Sequence, residues 1–410
     1  MRICLLAKST LDHGIGGMET HFDALHENLI AMGHQVMVLT TGHPSLKTKP
    51  YANGSMTFFL EVPARRYSTR WWKRSLEVFS NLNAEKPFDL VFSQSLSAGA
   101  LLEFQPRPPI YMVAYGLTRW HIKSEFRQCN RLSDYLKWLM IKIPEIIFYT
   151  VRYERPLLKN SEGVLCTGDS FREDLARYSR NVIVSYNGAD CDKFRPDPGA
   201  RERVRQSLGI PSGAIVIVMA GVVSLQKGMD VGLKAFSMLE NGYRDLYLAM
   251  VGEGPALEGL RRTVSGQKWG DRVKWTGGII HEDMPRYLAA GDIFWHPSLR
   301  MEGMPLVIVE AMASGLAVVA TDIGGTAGAI ESGKNGILVS PGEPGELERA
   351  TRELLDQPDR MRDLARSARE KATTQFDYRG IVERLMMDIR TNRPSRGSSA
   401  QSSQPGRGLA

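Results

Sequence analysis

Two carboxylates, Glu302 and Glu310, bracket the segment Glu302-Gly303-Met304-Pro305-Leu306-Val307-Ile308-Val309-Glu310, which continues into Ala311-Met312-Ala313-Ser314-Gly315. The first acid falls in a Gly/Pro loop and the second on an apolar run of helical character. A loop that opens a helix offers unpaired backbone N–H groups and partial positive charge, a setting suited to phosphate. A carboxylate on the next turn can accept hydrogen bonds from sugar or ribose hydroxyls. The chemistry suggested is recognition of a nucleotide sugar. The plainer alternative is a capped core helix with two solvated acids.

The elements that must position these residues are legible on either side. Asp292 to Ser298 reads as a short buried strand ending in a turn, and Leu316 to Asp322 as the next strand, followed by Ile323-Gly324-Gly325-Thr326. Strand, loop, helix and strand make a βαβ unit, and such sheets bind ligands outside the carboxyl ends of their strands. Upstream, strands are predicted at Ile3–Ala7, Gln35–Thr40, Met56–Leu60, Leu90–Ser93, Ile110–Ala114, Val164–Thr167 and Val182–Ser185, with a helix from Met18 to Met32. After the Asn187-Gly188 turn and a linker at Arg195–Gly199, a second series begins at Ala214–Gly221. It continues at Tyr247–Val251, Arg272–Trp275, Ile293–His296 and Val318–Thr321. The pattern is α/β and doubly wound, repeated twice.

In this context the chain resembles the family 4 glycosyltransferases. The family pattern of a Glu, seven residues and a Glu leading into Ala-Met-Ala-x-Gly is met at Glu302, Glu310, Ala311, Met312, Ala313 and Gly315. Further family-like segments follow the expected order: Gly16-Gly17-Met18-Glu19-Thr20-His21, Gly33-His34-Gln35-Val36, Asn187-Gly188-Ala189-Asp190, Lys227-Gly228-Met229-Asp230 and Val251-Gly252-Glu253-Gly254-Pro255. The resemblance spans roughly residues 1 to 390. It implies the GT-B fold: two Rossmann-like domains facing across a cleft, with the C-terminal helix crossing back to the N-terminal domain. The expected division is an acceptor-binding domain over 1–190, with 375–391 packing back on it, and a nucleotide-sugar-binding domain over 191–374. Residues 392–410, rich in Ser, Pro, Gly and Gln, read as a disordered tail.

The implied reaction moves a sugar from a UDP- or GDP-linked donor to a glycan or lipid-linked acceptor, with retention of configuration, no metal and no cofactor beyond the donor. Negative charge grows on the departing diphosphate, and fixed donors aimed at it lower the barrier. Lys227, at a helix start, matches the family's phosphate-binding lysine. The amides of Gly303, Met304 and Leu306 are candidates for the same cradle. Pro305 has no N–H and is expected at the first helical position. By resemblance Glu310 takes the ribose and Glu302 the donor sugar, which makes Glu302 and Lys227 the catalytic candidates. Gly16 and Gly17 permit close backbone approach from the opposite wall. Glu19 lies within the next turn, and His21 reads as a surface helical residue. Backbone around Gly278 is the candidate for the base.

Two positions depart from the family pattern. Val222 stands where an Arg is common, so Lys227 acts alone or another cation moves in. Tyr115 stands where a His near the donor sugar is common; it can bond a hydroxyl but carries no positive charge. These losses motivate the rival reading of a catalytically impaired GT-B protein that serves as a binding or scaffold partner.

A net charge of +7 favours anionic partners, and no nucleic-acid module is evident. Arg65-Arg66-Tyr67-Ser68-Thr69-Arg70-Trp71-Trp72-Lys73-Arg74 combines basic and aromatic residues in the manner of a membrane anchor, and a second such region runs from Arg119 to Tyr149. Arg65, Arg66, Arg70, Trp71, Trp72 and Lys73 are therefore candidate contacts with an anionic membrane, the alternative being a basic loop and a helix packed within the domain. Scattered cysteines, the absence of a membrane-spanning apolar run and a first strand in place of a signal-peptide core lead to an expected cytoplasmic location, peripheral on the inner membrane face.

Overall fold

The computed structural model describes residues 1–391 apart from Ile15, 63–66, Gly116, 118–135, Lys137 and 169–170. The expected tail at 392–410 lies outside the described residues. Two sheets organise the chain. The first contains β1 (Arg2–Leu6), β2 (Gln35–Thr40), β3 (Thr48–Pro50), β4 (Met56–Phe59), β5 (Leu90–Gln94), β6 (Ile110–Ala114), β7 (Gly163–Cys166) and β8 (Val182–Val184), in the spatial order β3-β4-β2-β1-β5-β6-β7-β8. The second contains β9 (Ile215–Ala220), β10 (Leu246–Val251), β11 (Val273–Gly277), β12 (Ile293–His296), β13 (Ala317–Thr321) and β14 (Ile337–Val339), in the order β11-β10-β9-β12-β13-β14. All pairs are parallel except β3 with β4. The edge strands β3 and β14 carry too short an apolar pattern to announce themselves in sequence.

Parallel sheets are covered on both faces, so their strands read as continuous apolar runs. β1, β5, β6, β12 and β13 are buried at every position. The helices that matter for the site are α1 (Gly17–Ala31), α2 (Thr69–Glu85), α3 (Met229–Leu239), α4 (Leu306–Ala313) and α5 (Tyr378–Thr391). α5 buries Val382, Leu385, Met386 and Ile389 in the core formed by Ile3, Leu5, Phe22 and Leu25 of the first sheet's domain.

The chain passes between the two halves twice, and the crossings are tied together. Ala189 N–H donates to Phe376 O at 2.9 Å, and Tyr378 N–H donates to Ala189 O at 3.1 Å. A Cβ at Gly188 would lie 2.6 Å from Phe376 O, so the two strands can approach only with glycine there.

Candidate active site

The carboxyl ends of β9 and β12 bring Lys227 and Glu302 together. After β9 the chain turns through Gly221 and a short 3-10 turn, Leu225–Lys227, into α3. Gly228 has φ +67°, and a Cβ on it would sit 1.8 Å from Pro297 O. This contact needs glycine twice, for the left-handed backbone and for the space. It seats the turn against the loop that follows β12, where Leu299 N–H donates to Gln226 O at 2.9 Å. Lys227 Nζ then reaches Glu302 Oε2 at 2.6 Å, with both side chains about one-fifth exposed. Arg300 Nε stands 3.6 Å from the other carboxylate oxygen.

Glu302 is not a bare carboxylate, because it lies between two cations. Burial by itself would raise its pKa; the charge and hydrogen bond of Lys227, helped by Arg300, outweigh burial and hold it below the usual carboxylate range. His296, at the end of β12, is fully buried, and burial with the nearby Lys227 charge lowers its pKa to about 3. Its ring is neutral at ordinary pH. Val222 is exposed and apolar. Arg300, to which no sequence motif pointed, supplies the second cation.

The loop 302–305 is held on its far side by Ile323–Thr326. Gly325 N–H donates to Glu302 O at 2.9 Å, and a Cβ on Gly324 would fall 2.3 Å from that same oxygen. On the near side Gly303 abuts the first domain, where an added Cβ would lie 2.3 Å from Thr167 Oγ1. Met304 is buried, and Asn187 Nδ2 donates to its carbonyl. Pro305 is the N-cap of α4 with φ −68° and ψ 124°, one position earlier than expected. Leu306 then begins the helix. Gly17 begins α1 directly opposite, where a Cβ would be 3.6 Å from Leu306 Cδ1. Two helix N-termini thus converge on one cleft, which suits an anion.

Glu310 is 4% exposed and lies one turn into α4, away from the Lys227–Glu302 pair. His281 Nε2 meets its Oε1 at 2.7 Å. Burial alone would lower the His281 pKa; the hydrogen bond and charge of Glu310 outweigh it and raise it. His281 was missed in the sequence because its partner is 29 residues away; its place just after Gly278–Ile280 was the available signal. Glu310 and His281 border a cavity of about 700 Å³ between the domains, walled by Asp23 and Glu27 of α1, Arg286 and Tyr378. Gly278 is exposed at the end of β11, with Glu253 close enough that a Cβ would approach its Oε2 to 2.7 Å.

On the opposite wall, Glu19 accepts a hydrogen bond from Ser9 Oγ and folds back over Gly16, so its carboxylate serves the entry to α1. His21 is not a surface residue, as expected, but is buried, because α1 packs beneath α5. Its Nδ1 lies 2.8 Å from Tyr115 Oη, and its ring lies 6.0 Å from that of Tyr378. Burial drops the His21 pKa to about 4 and pushes Tyr115 well above the ordinary phenol value, so both are neutral.

The membrane-contact expectation is corrected for Trp71 and Trp72. Ser68 caps α2 by accepting from Trp71 N–H at 3.1 Å. The helical period then places Trp71, Trp72, Ser75 and Phe79 on the buried face. Trp71 Nε1 donates to Thr41 Oγ1, and Trp72 stacks on Tyr153 with ring centroids 3.7 Å apart. Arg70 and Lys73 are exposed, and Arg65 and Arg66 lie outside the described residues.

The comparisons agree with this architecture. Residues 15–193 match the family described as Glycosyltransferase Family 4, and residues 200–371 match Glycosyl transferases group 1. The chain belongs to this family of GT-B glycosyltransferases. It is 33% identical over 204 residues to a GDP-mannose-dependent alpha-(1-6)-phosphatidylinositol monomannoside mannosyltransferase of Mycolicibacterium smegmatis, covering 48% of this chain and 53% of that one. The matched segment thus spans about half the length of that curated relative. A 2-deoxystreptamine glucosyltransferase of Streptomyces kanamyceticus is 24% identical over 377 residues, covering 88% and 95%. Sucrose-phosphate synthase from Thermosynechococcus elongatus shares the fold with a TM-score of 0.76 at 21% identity, covering 95% and 98%.

Proposed function

We propose that the protein is a retaining, metal-independent glycosyltransferase that moves a hexosyl unit from a UDP- or GDP-sugar to a lipid-linked or glycan acceptor in glycolipid or cell-surface polysaccharide synthesis. The observation that carries this reading is the Lys227–Glu302 pair at the carboxyl ends of β9 and β12, beside the facing N-termini of α1 and α4. In this reading residues 191–374 hold the donor, and residues 1–190 with 375–391 hold the acceptor. The reaction would take place on the cytoplasmic face of the membrane.

As the anomeric C–O bond breaks, charge accumulates on the departing diphosphate. Lys227, Arg300 and the first amides of α4 meet that charge, and each such donor is worth ~10²–10³ in rate. Glu302 holds Lys227 in place and, once the ammonium turns to phosphate, is free to accept from a donor-sugar hydroxyl. Glu310, oriented by His281, accepts from the ribose. The acceptor attacks on the face the leaving group vacates, and the leaving phosphate takes its proton, so no side-chain base is needed. Tyr115, whose hydroxyl meets His21 Nδ1 at 2.8 Å, stands on the acceptor or sugar side.

Calorimetric binding of UDP, GDP and ADP to the wild type, Lys227→Ala and Glu310→Ala tests this. Binding of one nucleotide, weakened by both substitutions, supports the site and names the base. No binding by a folded protein would leave the scaffold reading, motivated by Val222 and Tyr115, in its place.

A further inference from the structure

With Trp72 buried, its stacking partner Tyr153 gains importance, because Tyr153 belongs to a continuous helical stretch over 138–160. One side of this stretch is anchored. Tyr153 stacks on Trp72, Tyr149 Oη donates to Tyr67 O at 2.9 Å, and Leu157 and Leu158 are buried in the first domain's core. The other side is bare. Sixteen large hydrophobic side chains stand exposed among the described residues, and six of them fall within 139–151: Leu139, Met140, Ile141, Ile147, Phe148 and Val151, with Met140 at 72%. Isolated exposed apolar residues are ordinary, whereas a contiguous set marks a contact surface.

Charge identifies the occupant. The described residues 138–160 contain four Lys/Arg (Lys142, Arg152, Arg155 and Lys159) against two acids, Glu145 and Glu154. Lys142 and Arg152 flank the apolar side chains; they pair with Glu145 at 3.6 Å and Glu103 at 2.7 Å, and both cationic side chains stay partly open to solvent, where lipid phosphates can compete for them. Apolar side chains bordered by long cationic ones match the hydrocarbon and headgroup levels of an anionic bilayer, and the cations snorkel to the phosphates. No described helix is long and apolar enough to cross a membrane. We propose that the 139–151 face lies in the plane of an anionic lipid surface and seats the protein on it.

The placement fits the reaction proposed above, on whose lipid-linked acceptor this inference rests. β6 and β7 run parallel, so the chain that leaves β6 at the sheet's carboxyl edge must return to the amino edge before β7. The 138–160 helix makes the return, and its apolar residues occupy the earlier part. Tyr149 holds that part to Tyr67, whose hydroxyl in turn donates to Gln94 O at the carboxyl end of β5. The proposed lipid face therefore stands at the cleft side of the acceptor domain, where a lipid-borne acceptor would enter.

Flotation of the full chain with phosphatidylcholine vesicles, with and without phosphatidylglycerol, tests the proposal. The wild type should float with the anionic vesicles. The triple variant Met140→Ser/Ile147→Ser/Phe148→Ser should bind them roughly tenfold or more weakly, and Met387→Ser, an exposed apolar site on α5, should bind as the wild type does. Lys142→Gln/Arg152→Gln, which spares the apolar face, should lose the preference for anionic over neutral vesicles. Failure of the wild type to float, or equal binding by the triple variant, overturns the proposal. So does wild-type self-association in sedimentation velocity that the triple variant abolishes without any vesicle binding, which would assign the face to a second copy. Nucleotide binding separates the two readings. This surface fails on vesicles with nucleotide affinity intact, and the donor site fails on nucleotide affinity with vesicle binding intact.

Discussion

Removing Lys227 does more than delete one cation, because Glu302 is left behind. A charge-assisted contact to phosphate contributes about 1.5–3 kcal/mol. Glu302 Oε2 lies 2.6 Å from the ammonium, and an ammonium–phosphate contact adds ~2.8 Å. Without the lysine the carboxylate would thus face the diphosphate at about 5 Å, a repulsion of roughly 3 kcal/mol per unit charge at an effective dielectric of ~20. Arg300, 3.6 Å from the same carboxylate, screens part of this, leaving about 1–2 kcal/mol. Lys227→Ala should therefore weaken the cognate nucleoside diphosphate by ~100-fold or more. Adding Glu302→Gln should restore roughly tenfold, so the double variant binds better than the single. Titration calorimetry, with circular dichroism as the check on folding, measures both. A double variant that binds no better than Lys227→Ala would refute the idea that Glu302 is held in check by the lysine.

Three further outcomes are expected. Gly228→Ala meets Pro297 O at 1.8 Å in a left-handed backbone; it should cost at least ~2 kcal/mol in denaturant unfolding and lower nucleotide affinity by displacing Lys227. His281 has a raised pKa in the folded state, so its pairing with Glu310 contributes stability that is full below the unfolded value of about 6.5 and is lost as pH rises through the folded value. The Tm difference between wild type and His281→Gln should accordingly shrink as the buffer is taken upward from pH 6, and a constant difference would remove the ion-pair account. Trp72→Ala should destabilise by about 3–5 kcal/mol, as for any buried aromatic; a surface membrane anchor would show almost no change.

Sequence reasoning carried far where the signal is local. The helix that opens within one residue of Pro305 and the strand boundaries at Gln35–Thr40, Ile110–Ala114 and Ile293–His296 follow from residue type and short-range spacing. It failed at Trp71 and Trp72, where aromatic residues among basic ones suggested an interface. The helical period of α2 turns both indoles inward, and Arg70 and Lys73 on either side of them are its exposed face. It also placed His21 on a surface that α5, arriving from the far end of the chain, covers.

The sequence by itself determined that two α/β units occur in tandem, that Glu302 and Glu310 flank a helix start at the carboxyl edge of the second, and that Lys227 opens the helix after its first strand. These properties belong to single segments, and hydrophobic period, turn residues and caps act over a few residues. Only the tertiary structure decided which charges meet. Lys227 and Glu302 are 75 residues apart, His281 and Glu310 29, and His21 and Tyr115 94. No local rule couples such distances, because the order of strands in a sheet and the seating of one loop on the next are set by packing of the whole. The same packing exposes the 139–151 face and buries the tryptophans beside it, so of the two regions whose composition suggested a membrane contact only the second presents its apolar side chains outward.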